Sequence, residues 1–270
     1  MTSAPVSLLA ALRAGVPQLM LGVRISRTTD IARIAKSAGY DCLMIDLEHS
    51  AMSVDTAAAL AAASGDLGLT ALVRVPEHEY GMIGRLLDGG AHGIIAPRVE
   101  TAEQARRLVE ACRFPPRGHR SQLSQLPQRG MVPTPAAALN STIDRETIVK
   151  VLIESPRGVA HVDEIAAVDG IDIIGIGAND LTSELGAPGD HDHPGLGLAV
   201  DLVLAAARAH DRIAMIGGVP QGPLQQRLIE AGFAPMLLAG IDSDLLFRAA
   251  VDRSSETLAW HSSLAEKESH

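Results

Sequence analysis

A chain of 270 residues is long enough to bury a large core, either one big barrel or two ordinary domains. Its composition, 47% hydrophobic and 20% charged, excludes an intrinsically disordered chain. A net charge of −9 and only six aromatic residues argue against nucleic acid and anionic membranes, because phosphates are repelled and few rings exist for base stacking.

The N-terminal stretch places Leu8, Leu9, Leu12 and Arg13 at helical spacing, which predicts a short helix. It lacks the basic region and unbroken apolar run of a signal peptide, and no run of about 18 apolar residues marks a membrane span. Cys42 and Cys112 are too few for a disulfide framework or a four-thiolate zinc site. A cytoplasmic location follows as the simplest expectation.

From Gln18 onward, β-branched or aliphatic runs alternate with alanine-rich amphipathic stretches, repeating about every 25 to 30 residues as βαβ units do. Strands are predicted at Gln18 to Val23, Cys42 to Asp46, Thr70 to Arg74, Gly93 to Ala96, Ile148 to Glu154, Ile171 to Gly175, Arg212 to Ile216 and Pro235 to Leu238. Several are continuous apolar runs, as expected when both faces are covered. Eight such units predict an α/β fold, a (β/α)8 TIM barrel, as a single domain over 1–270. A doubly wound open sheet is the rival, weakened because no Gly-x-Gly-x-x-Gly follows the first strand. One connection, Arg113 to Asn140, carries five prolines and no clear apolar period, and reads as a long loop. Another, Gly186 to Gly197, carries His191, Asp192 and His193; it reads as a solvated turn with too few ligands for a metal site.

In such a barrel the chemistry sits where strands end. The second predicted strand runs into Asp46, Glu48 and His49, the third ends in Arg74, the fifth in Glu154, and the sixth leads through Gly177 to Asn179 and Asp180. Two carboxylates converging from adjacent strand ends can bind a hard cation such as Mg²⁺ or Mn²⁺ and leave positions open for substrate oxygens. The alternatives are that Glu154 pairs with Arg157 or another surface cation and that Asp180 caps a helix beginning near Leu181. His49 is either a hydrogen-bonded structural residue or, from its strand-end position, a general base.

The ordered strings Ile45-Asp46-Leu47-Glu48-His49, Leu72-Val73-Arg74-Val75-Pro76, Leu87-Asp88-Gly89-Gly90-Ala91, Ala96-Pro97-Arg98, Phe114-Pro115-Pro116-Arg117-Gly118, Ile153-Glu154 and Gly175-Ile176-Gly177-Ala178-Asn179-Asp180-Leu181 resemble the HpcH/HpaI aldolases. The resemblance runs from about Gln18 to Leu246. It implies a metal-dependent class II aldolase, a carbon–carbon lyase that reversibly cleaves a 4-hydroxy-2-oxo acid to pyruvate, or a close analogue, and an aldehyde through a metal-stabilised enolate. It makes Glu154 and Asp180 the metal ligands, His49 the base, Asp88 the group that raises its basicity, and Arg74 the stabiliser of developing negative charge. The cofactor it implies is Mg²⁺, Mn²⁺ or another divalent ion. It also implies a homo-oligomer, hexamer or trimer, with an exchanged or packed C-terminal helix.

The departures from the family pattern fall at Arg24, Leu152, Asn179 and Ala239, which with Gly177 are the expected substrate-binding positions. Changed polar groups there alter which acid fits. Two further readings stay open at this point: an oxo-acid decarboxylase or other lyase using the same enolate site, and a metabolite-binding protein without turnover.

Overall fold

The computed structural model describes residues 7–268. Eight parallel strands form one sheet: β1 (Gln18–Val23), β2 (Cys42–Asp46), β3 (Thr70–Arg74), β4 (Gly93–Ala96), β5 (Ile148–Ile153), β6 (Ile173–Gly177), β7 (Ile213–Gly217) and β8 (Met236–Ile241). Their order is β7-β6-β5-β4-β3-β2-β1-β8, so the sheet curls until β8 pairs with β1. Between β7 and β8 the ring is joined by the Ala234 N–H donating to the Ala214 carbonyl at 2.8 Å. The helices are α1 (Leu8–Arg13), α2 (Asp30–Ser37), α3 (Val54–Asp66), α4 (Ile83–Asp88), α5 (Ala102–Cys112), α6 (Ala136–Glu146), α7 (Pro156–Ala160), α8 (Val162–Ala166), α9 (Ala178–Glu184), α10 (Pro194–Ala209), α11 (Pro223–Ala231) and α12 (Asp242–Glu268). This is the (β/α)8 barrel that the alternating pattern predicts.

Each strand sends alternate side chains to two different cores. Leu43, Ile45, Val73, Ile94, Val149, Val151 and Ile174 face outward and pack against the helices. Met20, Cys42, Met44, Leu72, Ile95, Leu152, Ile173, Met215 and Met236 fill the barrel interior, closed at the N-terminal end by Leu8 and Leu12 of α1. The interior-facing glycines leave no room for larger residues: a Cβ on Gly175 would lie 2.8 Å from Leu152 Cδ2. Side-chain caps start several of the helices: Thr101 and Gln104 form a reciprocal box at the head of α5, and Ser53 and Ser155 cap α3 and α7.

Three sequence expectations are corrected. The sixth strand is Ile173–Gly177 rather than Ile171 to Gly175, because Asp172 is used as an acceptor, taking the Val149 N–H at 2.8 Å. The eighth runs on to Ile241, past a register shift against β1. The connection from Arg113 to Asn140 is not structureless: a 3₁₀ turn at Pro127–Arg129 and the start of α6 lie within it. Phe114, Leu126, Leu139 and Ile143 give the segment its own small core. Beneath it Arg113 donates to the carbonyls of Asp144, Thr147 and Gly170. At the loop after α9, the His193 side chain caps α10 and His191 Nε2 lies 2.8 Å from the Gly218 carbonyl, the structural use expected of that turn.

Helix α12 leaves the barrel with Leu246, Phe247 and Leu258 exposed. The helix continues to Glu268, and residues 269 and 270 lie outside the described part. No helix among the described residues is long and apolar enough to cross a membrane.

Candidate active site

At the C-terminal ends of the strands a cavity of about 490 Å³ opens, lined by Arg24, His49, Arg74, Leu152, Glu154, Gly177, Asn179 and Asp180. Eight of the ten residues picked out in the sequence therefore converge on one space. Another depression, about 520 Å³, lies on the outer surface between α5 and α8, away from the strand ends.

Asp46 is the electrostatic centre of one wall. It is fully buried at the end of β2, and Arg74 at the end of β3 grips it with Nε at 3.0 Å and Nη2 at 2.6 Å. Arg24 Nε adds a third contact at 2.8 Å. Burial pushes the Asp46 carboxyl up, but the hydrogen bonds and charge of Arg74, with Arg24, outweigh it and hold the group at about 2. Arg74 Nη1 reaches Glu48 at 3.0 Å, and Glu48 Oε2 in turn lies 3.8 Å from His49 Nε2. Burial raises the Glu48 carboxyl despite Arg74. Arg24 is thus a partner of Asp46 rather than a free cation awaiting substrate. Its backbone is fixed as well: Asp242, at the head of α12, accepts the N–H groups of Arg24, Ile25 and Ser26.

The opposite wall is short of positive charge. Glu154 follows β5 and accepts the Arg98 N–H at 2.8 Å; Arg98 presents that group from a left-handed conformation, φ 46°, uncommon for a residue with a Cβ. Burial, joined by the charges of Asp180 and Glu48, raises the Glu154 carboxyl to about 7. Glu154 does not pair with Arg157, whose guanidinium goes to Glu100 at 3.3 Å. Asp180 sits within the first turn of α9 rather than capping it, since Gly177 is the cap residue. A Cβ at Gly177 would overlap Glu154 Oε1, so a larger residue there would displace the carboxylate.

Glu154 and Asp180 offer hard carboxylate oxygens in a region where carboxylate charge is poorly neutralised. Among the described residues no group of three or more His, Cys, Asp or Glu side chains could hold an ion by itself. The set therefore fits a cation such as Mg²⁺, which is held by one or two carboxylates and keeps its remaining positions for water and substrate.

Two expected site residues stand apart. Asp88 is the last residue of α4, which runs back toward the N-terminal ends of the strands, and its carboxylate accepts Arg120 Nη2 at 2.8 Å. Within the chain it does not meet His49. Ala239 lies on β8, but the cavity takes Leu238 and Ile241 from that strand, while the Ala239 carbonyl accepts Tyr40 Oη at 2.9 Å. The register shift between β1 and β8 displaces the alternation at this edge. Sequence reasoning missed the binding role of Asp46, the clamp made by Asp242 and the cavity-lining Lys150. Lys150 shares its strand parity with Glu154, the one signal that could have found it.

Comparison with known proteins points the same way. Residues 20–249 match the family model described as HpcH/HpaI aldolase/citrate lyase. The chain is 37% identical over 235 residues to the 4-hydroxy-4-methyl-2-oxoglutarate aldolase of Hapsidospora irregularis, covering 86% of this chain and 87% of that one. It is 34% identical over 250 residues to the hydroxypyruvate/pyruvate aldolase of Delftia acidovorans, covering 90% and 88%. The crystal structure of an HpcH/HpaI aldolase from Desulfitobacterium hafniense DCB-2 superposes with a TM-score of 0.84 at 28% identity, covering 93% of this chain and 96% of that one.

Proposed function

Because the chain belongs to the HpcH/HpaI aldolase/citrate lyase family, we propose that the strand-end cavity is its active site and that Glu154 and Asp180 hold a divalent cation there, Mg²⁺ or Mn²⁺. The protein is a carbon–carbon lyase, an aldolase that cleaves an oxo acid to release pyruvate. The observation that carries the site assignment is the convergence of Glu154, Asp180, Arg74 and His49 on one cavity, with the Glu154 charge left for a cation to balance.

When bound, the cation supplies Lewis-acid polarisation of the 2-oxo acid. The chain's own residues do the rest. His49, half exposed at the mouth, takes the proton of the 4-hydroxyl at an imidazole nitrogen. The bond between C3 and C4 breaks, C4 becomes a carbonyl, and the electron pair moves toward the 2-oxo oxygen. Arg74, fixed by Asp46, presents positive charge to that side of the cavity. Return of a proton to C3 completes pyruvate. Glu48, at 3.8 Å from His49 Nε2, is the carboxylate placed to stabilise the imidazolium, the part that family resemblance gives to Asp88.

The exposed Leu246, Phe247 and Leu258 of α12 support a homo-oligomer built on that helix. The buried, free Cys42 and Cys112 fit a reducing, cytoplasmic setting. The substitutions Glu154→Ala and His49→Ala test the site. The first is expected to lose both Mn²⁺ binding, read by calorimetry, and turnover; the second to lose cleavage while still binding Mn²⁺. Full Mn²⁺ affinity in Glu154→Ala overturns the ligand assignment.

A further inference from the structure

The structure describes four buried cationic side chains: Arg74, Arg113, Arg120 and Lys150. Arg74 is matched by Asp46 and Glu48, Arg113 by three carbonyls and Asp172, and Arg120 by Asp88. Lys150 alone of the four makes no hydrogen bond or ion pair among the described residues, although only 3% of it is exposed. An unpaired ammonium in such a place is costly, and buried charges in proteins are normally paired, neutralised or functional.

Its surroundings explain why nothing within the chain pairs with it. Lys150 faces the barrel interior on β5, four residues before Glu154 and on the same side of the strand, with Leu152 between them. The cavity continues down to it from the mouth, and there the lining turns to Met20, Met44, Met215 and Met236, whose thioethers are weak acceptors. Cys42 offers no anion, because burial drives its thiol up to about 12. The Lys150 ammonium feels the charges of both Arg74 and Glu154, so it stands within electrostatic range of the strand-end site. Burial lowers it to about 8, which keeps a large protonated fraction near neutral pH.

We propose that Lys150 binds a second carboxylate of the substrate at the inner end of the cavity, so that the preferred substrates are 2-oxo acids that are also dicarboxylic. This rests on the cavity being the aldolase active site. The acid at the mouth and the acid at the inner end then meet separate partners, and the anion that Lys150 lacks in the free protein is delivered with each substrate. Removal of that contact falls on the charged substrate and not on a neutral analogue, which makes Lys150 a specificity-determining residue.

The test compares the wild type with Lys150→Met, a substitution that continues the methionine lining and removes a buried charge. Pyruvate release in Mg²⁺ is measured for two 4-hydroxy-2-oxo acids of equal length, one ending in carboxylate and one in the primary amide. Wild type is expected to favour the carboxylate, and the ratio of kcat/KM values to fall about tenfold or more in Lys150→Met, mostly through KM. An unchanged ratio overturns the proposal. Binding of glutarate and of its monoamide to both proteins, read by calorimetry in Mg²⁺, gives a measurement independent of turnover. Glutarate preference in wild type that is lost in Lys150→Met supports the role even if neither acid is cleaved, a result that would count against the aldolase site instead. Absence of glutarate preference in wild type overturns it. Borohydride treatment with pyruvate is expected to leave the mass of Lys150 unchanged; a reduced adduct there overturns ion pairing in favour of an imine.

Discussion

Each charged residue of the site has a role set by what surrounds it. Asp46 is bound by two guanidinium groups and carries no free charge to the cavity, so its worth is structural: it holds Arg74 in place. Asp46→Asn leaves the buried Arg74 partly unmatched, and a loss of about 3 kcal/mol in denaturant unfolding is expected. The pH dependence has a definite sign. The folded carboxyl titrates near 2, below its ordinary value of 3.8, so its stabilisation is present above pH about 4 and is lost as pH falls toward 2. Lys150 runs in the other direction. Its folded value of about 8 lies below the ordinary 10.5, so between those pH values the folded state has released a proton that the unfolded chain keeps, and stability rises with pH. At full burial the difference amounts to about 3 kcal/mol. The stability advantage of Lys150→Met over wild type is therefore expected to shrink across pH 8 to 10.5 in chemical denaturation, and a constant gap contradicts the buried, charged lysine.

At the level of elements, strand alternation decides which residues reach the site, and it is legible only where the register is regular. Arg74, His49, Glu154 and Asp180 follow strands whose apolar runs mark their ends, so their place could be read from the sequence. Ala239 could not, because the β1 and β8 register shift is invisible in a single chain. Lys150 was hidden by its apolar flanks, although its parity with Glu154 was there to be counted. Asp88 illustrates a different limit: a residue assigned by resemblance, at the end of a returning helix, lies at the far end of its own barrel. The helix from Ala136 escaped notice because its apolar residues, Leu139 and Ile143, pack against Phe114 and Leu126 from distant loop positions rather than showing a long period of their own. One element contact merits a direct test. The Asp242 carboxylate fixes the loop after β1 through three backbone N–H groups there, so Asp242→Ala is expected to cost about 2 kcal/mol in unfolding and to lower kcat/KM by loosening Arg24. Unaltered stability would show that the loop is held by other contacts.

For the molecule as a whole, the barrel puts hydrophobic burial and chemistry in separate places. The outer core and the lower interior stabilise the fold, and the polar groups gather at one rim. The long α12, with Leu246 and Phe247 about two-thirds exposed, is the part of the molecule most in need of a covering surface. Light scattering on the purified chain is expected to give an oligomer, and Phe247→Glu to reduce its mass; a monomeric wild type contradicts that assignment. At the rim itself, two carboxylates are expected to hold the cation on which oxo-acid cleavage depends. The decisive measurement is pyruvate release from a panel of 4-hydroxy-2-oxo acids after chelator treatment, before and after Mg²⁺ or Mn²⁺ is restored. Pyruvate formation is expected to cease on chelation and to return with the ion; cleavage that continues undiminished without metal would rule out a metal-dependent site.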